Sequence, residues 1–285
     1  MKKSIKVLRG IICLAICFTL ASCTYALPMK AAPLTVMSYN VESDDINDTN
    51  PRLVAEDIER IRSNMPIDIW GLSEVLNQEA ADIFTDAISS PDTEYRSILG
   101  TTGGADQLQI VYNPETVRLI DTQELRNSGG TRAPLVAHFE LLGNGREFLF
   151  TVNHFNRGDE DRRNQQARFL REWGAEQTLP IVAVGDYNFD YDPQTQSGNE
   201  AFDIFLEDDT FIWIRPECLA DNSCPPTGTQ CNPTYNSILD FVFVSERATQ
   251  WDNISDILLI DEPVCEKESR GYSDHRPVVA SFDVY

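Results

Sequence analysis

The chain has 285 residues, 42% of them hydrophobic and 24% charged, with a formal charge of −22. So acidic a body is not built to wrap nucleic acid by long-range attraction, and its charge suits solubility outside the cell. The length fits one large α/β domain or two small ones.

Lys2, Lys3, Lys6 and Arg9 precede an apolar run from Ile11 to Ala21, which is too short to cross a bilayer as a stable helix. The pattern reads as a secretory signal over residues 1–22. It ends in Leu20-Ala21-Ser22-Cys23, which resembles the bacterial lipobox, whose cysteine is lipidated and becomes the first mature residue. A simple cut after Ala26 is the alternative. A lipoprotein at the cell envelope, in the outer membrane or periplasm, is therefore expected, with secretion as the second reading. Loss of the four basic residues takes the formal charge from −22 to −26.

Residues 23–33 read as a short tether, and from Leu34 to Tyr285 the chain reads as one unit without repeats or internal linkers. Alternation predicts a strand over Leu34 to Asn40. A helix follows over Pro51 to Asn64, with Leu53, Val54, Ile58 and Ile61 on one face and Pro51 in its first turn. A strand over Ile67 to Val75 and a helix over Gln78 to Ile88 continue the alternation, which announces an α/β fold. The middle is richer in strands: Tyr95 to Leu99, Leu108 to Tyr112, Val117 to Ile120, Leu135 to Leu142 and Phe148 to Phe155. Then come a helix over Asp161 to Trp173 and a buried strand over Ile181 to Val184. Pro216 to Tyr235 reads as a long irregular segment, followed by strands at Ile238 to Val244, Asp256 to Ile260 and Pro277 to Val284.

Cys218, Cys224, Cys231 and Cys265 remain once the signal and the lipid candidate Cys23 are set aside. An even number in an oxidising compartment predicts two disulfides, with the pairing open. The spacing lacks the close C-x2-C pair of a structural zinc site.

Polar groups able to hold a metal recur where apolar strands end. Asn40 follows LTVMSY, Glu74 follows IDIWGLS, Asn153 and His154 follow FLFTV, and Asp186 and Asn188 follow IVAVG. Asp240 stands within SILDFVFVS, and Asp274 and His275 precede PVVASF. Strand ends of an α/β sheet line one crevice, so these groups can converge, although each taken singly is also an ordinary turn residue. Asp274 and His275 must then occupy a bend, because neighbours in an extended chain point to opposite sides.

The blocks VMSYNVES, DIWGLSEV, FTVNHF, VAVGDYNFD, ILDFVFVS and YSDHRPVVASF resemble, in order, those of the endonuclease/exonuclease/phosphatase superfamily. The resemblance implies a four-layer α/β sandwich of two mixed β-sheets flanked by helices. It implies Glu74 as the main metal carboxylate, with Asp274 and Asn40 at the metal or the phosphate. Glu42 is either a further metal-site acid or a plain surface carboxylate. By the same carry-over Asp186 and Asn188 orient the attacking water and the phosphate, Asn153 contacts the phosphate, and His275 pairs with Asp240. His154 matches the second histidine of deoxyribonuclease-like members, and its carboxylate partner would be Asp106.

An oxygen-rich donor set suits a hard divalent cation, Mg2+ first, with Mn2+ or Ca2+ as alternatives. The activity implied is metal-dependent phosphodiester hydrolysis by an extracytoplasmic nuclease or general phosphodiesterase. The expected partners are a nucleic acid or nucleotide substrate and the membrane through the lipid anchor, with no obligatory protein partner indicated. A sphingomyelinase-like phospholipid diesterase is the alternative, for which Trp213 or Trp251 could touch lipid, and a catalytically inert surface module is a third reading. Ile238 stands where many nuclease members carry a polar residue, and the basic motifs of inositol-lipid phosphatases are absent. Arg157, Arg162, Arg163, Arg168 and Arg171 form either a basic wall for phosphates or a salt-bridged helix surface.

Overall fold

A computed structural model describes residues 31–43, 49–231, 237–259 and 271–285. The signal segment, Cys23, Cys265 and most of the tether lie outside the described residues. In chain order the elements are β1 (Ala32–Asn40), α1 (Pro51–Asn64), β2 (Ile69–Val75), α2 (Gln78–Ile88), β3 (Arg96–Leu99), β4 (Gln107–Tyr112), β5 (Val117–Glu124), β6 (Leu135–Leu141) and β7 (Arg146–His154). They continue with α3 (Glu160–Glu176), β8 (Ile181–Tyr191), α4 (Glu200–Leu206), β9 (Phe211–Trp213), α5 (Cys218–Asp221), β10 (Ile238–Ser245), β11 (Asp252–Ile257) and β12 (Val278–Val284).

Two six-stranded mixed sheets form the sandwich, in the orders β11-β12-β1-β2-β4-β3 and β5-β6-β7-β8-β10-β9. Four helices begin on an Asn or Asp whose side chain accepts a backbone N–H of the first turn: Asn50, Asn77, Asp159 and Asn199. Val54, Ile58 and Ile61 of α1 and Ala81 and Phe84 of α2 pack with Met37, Tyr39 and Trp70 on the outer face of the first sheet. Period-two alternation turns Leu34 and Val36 of β1 the other way, into the core shared with the second sheet.

The sheets approach closely at Gly71 of β2, where a Cβ would lie 2.4 Å from Val184 Cγ2 and 2.8 Å from Val152 Cγ2. This close approach shows which strand positions face inward. Along β1 the inward set is Leu34, Val36, Ser38 and Asn40; on β7 it is Val152 and His154, and on β8 Val184 and Asp186. The apolar core between the sheets therefore continues, residue by residue, into a polar end.

β8 runs through Tyr191, well past the predicted end at Val184. Its aspartates and asparagine read locally as turn formers, yet pairing with β10 resumes at Tyr191 beyond Asp186, across a register irregularity in which Asn188 and Asp190 take φ of 51° and 48°. The short α4 and β9 escaped the sequence reading because neither is long enough to show a period. Trp213 and Trp251 are buried among aromatic rings, so neither is a surface lipid contact. Cys218 is bonded to Cys224. Cys231 is disulfide-bonded as well.

Candidate active site

Asn40, His154, Asp186 and Asp240 gather at the polar end of the inter-sheet core, and His154 and Asp240 are both register partners of Asp186. Loops complete the wall. A register shift between Leu72 and Val75 throws out Glu74, and a bend before β12 presents Asp274 beside His275. They enclose a cavity of about 260 Å³ that includes Glu42, Glu74, His154, Asp186, Asn188, Asp274 and His275 in its lining.

Asn40 is the hub. Its Oδ1 accepts the Glu42 backbone N–H at 2.9 Å, which fixes the amide so that Nδ2 faces Glu74 Oε1 at 2.8 Å and Asp186 Oδ2 at 3.1 Å. The amide thus offers donors to the carboxylates, with its oxygen already engaged. Ser273 Oγ donates to the Asn40 carbonyl and accepts from His275 N, joining β1 to the histidine loop. Asp274 N donates to Glu42 Oε2 at 2.8 Å.

Each histidine has its own carboxylate. His275 Nδ1 lies 2.7 Å from Asp240 Oδ2, and His154 Nδ1 lies 3.3 Å from Asp106 Oδ1. Both imidazoles turn Nε2 toward one atom, Asp186 Oδ2, at 3.8 and 3.7 Å. Burial lowers the basicity of both rings. For His275 the charges of Asp240, Asp274 and Asp186 outweigh it and carry the pKa well above the ordinary value. For His154, Asp106 and Asp186 outweigh both burial and Arg132, and the pKa is raised. Burial acts the opposite way on the acids. It raises Glu74 and Asp240, and together with the facing Asp274 it pushes Glu42 up to about 8.

The structure brings together every sequence-predicted site residue except Asn153. That amide donates to the Val184 carbonyl at 3.1 Å and to the Tyr187 hydroxyl at 2.9 Å, on the face of β7 opposite His154, so it does not contact a phosphate in the cavity. The correction follows from the pleat, because adjacent residues of one strand alternate sides. Asn188 adopts a left-handed backbone, donates Nδ2 to the Phe155 carbonyl at 3.0 Å and still reaches the cavity. His138 is outside the site and pairs with Glu147 at 2.9 Å.

The sequence matches the description of the Endonuclease/Exonuclease/phosphatase family over residues 37–275. This chain belongs to that family. Its members are hydrolases acting on phosphoester bonds. No curated protein matches the sequence. Among solved structures, a mannosyl-6-phosphatase of Bacteroides thetaiotaomicron is 20% identical with a TM-score of 0.64, over 87% of this chain and 99% of the other. The human Nocturnin catalytic domain with bound sulfate is 19% identical at 0.62, over 88% and 94%. D. rerio TDP2 complexed with single-strand DNA product is 14% identical at 0.66, over 89% and 100%. These likenesses establish the shared sandwich fold.

The family's dependence on a divalent metal fits the donor set. Ligand atoms of Glu74, His154 and Asp186 lie within 4.8 Å of one another, as do those of Asp186, Asp240 and His275. Burial first and the facing Asp274 second raise the Glu42 carboxyl, and a cation held between the two acids would offset the repulsion part of that shift. Three residues of this endonuclease/exonuclease/phosphatase site escaped the sequence reading. Arg132 ion-pairs with Asp106 and donates to the carbonyls of His154 and Phe155. Gln230 donates to Asp274 Oδ2 at 2.5 Å, and Thr229 Oγ1 accepts the backbone N–H of Leu239 and Asp240. All lie in irregular segments, where no periodic pattern marks them.

Proposed function

We propose that this chain is a metal-dependent phosphodiesterase, most simply a nuclease or general phosphodiesterase acting on nucleic acid or nucleotides outside the cytoplasm, anchored to the cell envelope through Cys23. The observation that carries the chemistry is the pair of histidine–carboxylate dyads aimed at Asp186 from two sides. Breaking a phosphodiester needs a proton removed from water and another delivered to the leaving oxygen, and two imidazoles held by separate acids divide that work.

Mg2+, with Mn2+ or Ca2+ as substitutes, would be held by Glu74 with Asp274 and Glu42 and would neutralise charge on the phosphoryl oxygens. Asn40 orients the Glu74 and Asp186 carboxylates through its Nδ2. Asp186, within 3.8 Å of both imidazoles, orients the attacking water, and Asn188 stands beside it for the phosphate. Asp240 and Asp106 fix the ring orientations and favour the imidazolium that forms when a ring takes a proton. The lipid anchor rests on LASC following the apolar run. Among the described residues no helix is long and apolar enough to cross a membrane.

The test compares wild type with Asp186→Asn on a small nitrophenyl diester, the corresponding monoester, plasmid DNA and sphingomyelin across the three cations. Diester and plasmid cleavage that exceeds monoester hydrolysis, and disappears in the variant, is the expected result. Preference for the monoester would replace this reading with a phosphatase, and activity confined to sphingomyelin would replace it with the lipid diesterase. Silence on all substrates would leave an inert module. For localisation, Cys23→Ser should move the protein from the membrane fraction to the soluble one.

A further inference from the structure

The five arginines between positions 157 and 171 do not share one task. Arg162 pairs with Asp159 at 3.2 Å, and Arg171 pairs with Glu207 and donates to the Ile204 carbonyl. Arg163 is buried and serves the main chain, with Nη1 bonded to the carbonyls of Asn156 at 3.1 Å and Arg157 at 2.9 Å. Arg157 differs from these. Among the described residues it is the one lysine or arginine that lines the catalytic cavity, whose wall also carries the imidazoles of His154 and His275 and the four carboxylates of Glu42, Glu74, Asp186 and Asp274.

A phosphate entering this cavity adds negative charge to an acidic wall. A guanidinium answers it with forked, charge-assisted hydrogen bonds to phosphoryl oxygens. The Arg157 backbone is set before any substrate arrives: besides Arg163, Asn156 Oδ1 accepts Asp159 N at 2.7 Å and Asn156 N donates to Gln166 Oε1 at 2.8 Å. Its guanidinium reaches Asn188 Oδ1 at 3.4 Å and pairs with Asp190, which Asn199 Nδ2 holds at 3.3 Å. Both partners of that ion pair have side chains 37% exposed, so water screens it and exchanging the carboxylate for a phosphate costs little.

Resting on the phosphodiesterase reading above, we infer that Arg157 is a specificity-determining residue. It grips non-bridging oxygens of the bound phosphoryl group, and the same grip makes inorganic phosphate a competitive ligand. Asp190 is its built-in competitor.

The test titrates the mature protein, loaded with Mg2+, with inorganic phosphate by calorimetry, and measures KM and kcat on a small diester. Arg157→Ala should weaken phosphate binding and raise KM by roughly ten- to a hundredfold with kcat nearly unchanged. Arg157→Lys should recover part of the loss, since charge returns without the fork, and Asp190→Asn should tighten phosphate. Circular dichroism on each variant checks that it is folded. Equal phosphate affinity in wild type and Arg157→Ala, or a fall in kcat at constant KM, would overturn the assignment. The phosphate titration decides this even if no diester is hydrolysed, so the two readings fail separately.

Discussion

Asp186 and Asp240 are register partners across the antiparallel β8–β10 pair, so two carboxylates stand side by side at the polar end of the core. Only Asp240 is committed to a histidine, through the 2.7 Å contact with His275 Nδ1, while Asp186 faces the cavity. If the dyad acts as a unit, Asp240→Asn and His275→Ala should each lower kcat by roughly two to four decades. The double variant should lose little more than the worse single one. Metal affinity, read by calorimetry, should survive in His275→Ala. Fully additive losses in kcat would mean that the two residues act independently.

Glu74 sits at φ 59°, a left-handed backbone that a Cβ-bearing residue adopts at a cost. Glu42 and Asn188, which line the same cavity, share this conformation at φ of 45° and 51°. Glu74→Ala and Glu74→Gly should both abolish activity and weaken metal binding. Glycine, however, relieves the strain, and Glu74→Gly should be the more stable by about 1 kcal/mol. Urea unfolding in EDTA measures the difference, and equal midpoints would remove the strain argument.

The site was legible in the sequence where chemistry interrupts an apolar alternation. Asn40, His154 and Asp186 each end an inward-facing row that begins with Leu34, Val152 or Val184, so period and residue type point to the same place. Asn153 was misread because closeness along the chain was taken for closeness in space, while the pleat sends it to Tyr187. Arg132 and Gln230 left no mark. Arg132 meets Asp106 across 26 positions and Gln230 meets Asp274 across 44, and only tertiary folding creates such pairs. The α/β class followed from the strand–helix alternation, and the layers and both sheets from the resemblance of the family blocks. The extension of β8 did not, because its Asp and Asn residues read as turn formers and the strand is regained only where Tyr191 pairs with Ile238 of β10.

Gly185 and Asn153 are register partners across the parallel β7–β8 pair, and Gly185 has φ +141°. A Cβ at Gly185 would stand 1.9 Å from the Asn153 carbonyl oxygen. Backbone cannot yield as a side chain can, so Gly185→Ala must part the strands that align His154 with Asp186. The expected loss is more than about 3 kcal/mol. A thermal melt coincident with wild type would show that the strands accommodate the methyl group.

Burial and the facing Asp274 push the Glu42 carboxyl from 4.5 up to about 8, against the pull of the Asp274 backbone N–H. In the metal-free protein the folded state therefore keeps a proton that the unfolded chain releases above about pH 4.5. Between these limits the unfolded state binds fewer protons, so this group's contribution to stability is complete below pH 4.5 and is lost as pH rises through 8. Burial raises Glu74 and Asp240 in the same direction, so the Glu42 share must be read as a difference between wild type and Glu42→Gln. In EDTA the two should melt together near pH 4.5, and the glutamine variant should melt higher at pH 8, where wild type carries the buried charge. Mg2+ should reverse the order at pH 8, because a cation binding only the folded state stabilises the protein that retains its acid. A melting difference that stays constant with pH in EDTA would contradict the shift, and no reversal with Mg2+ would remove Glu42 from the metal site.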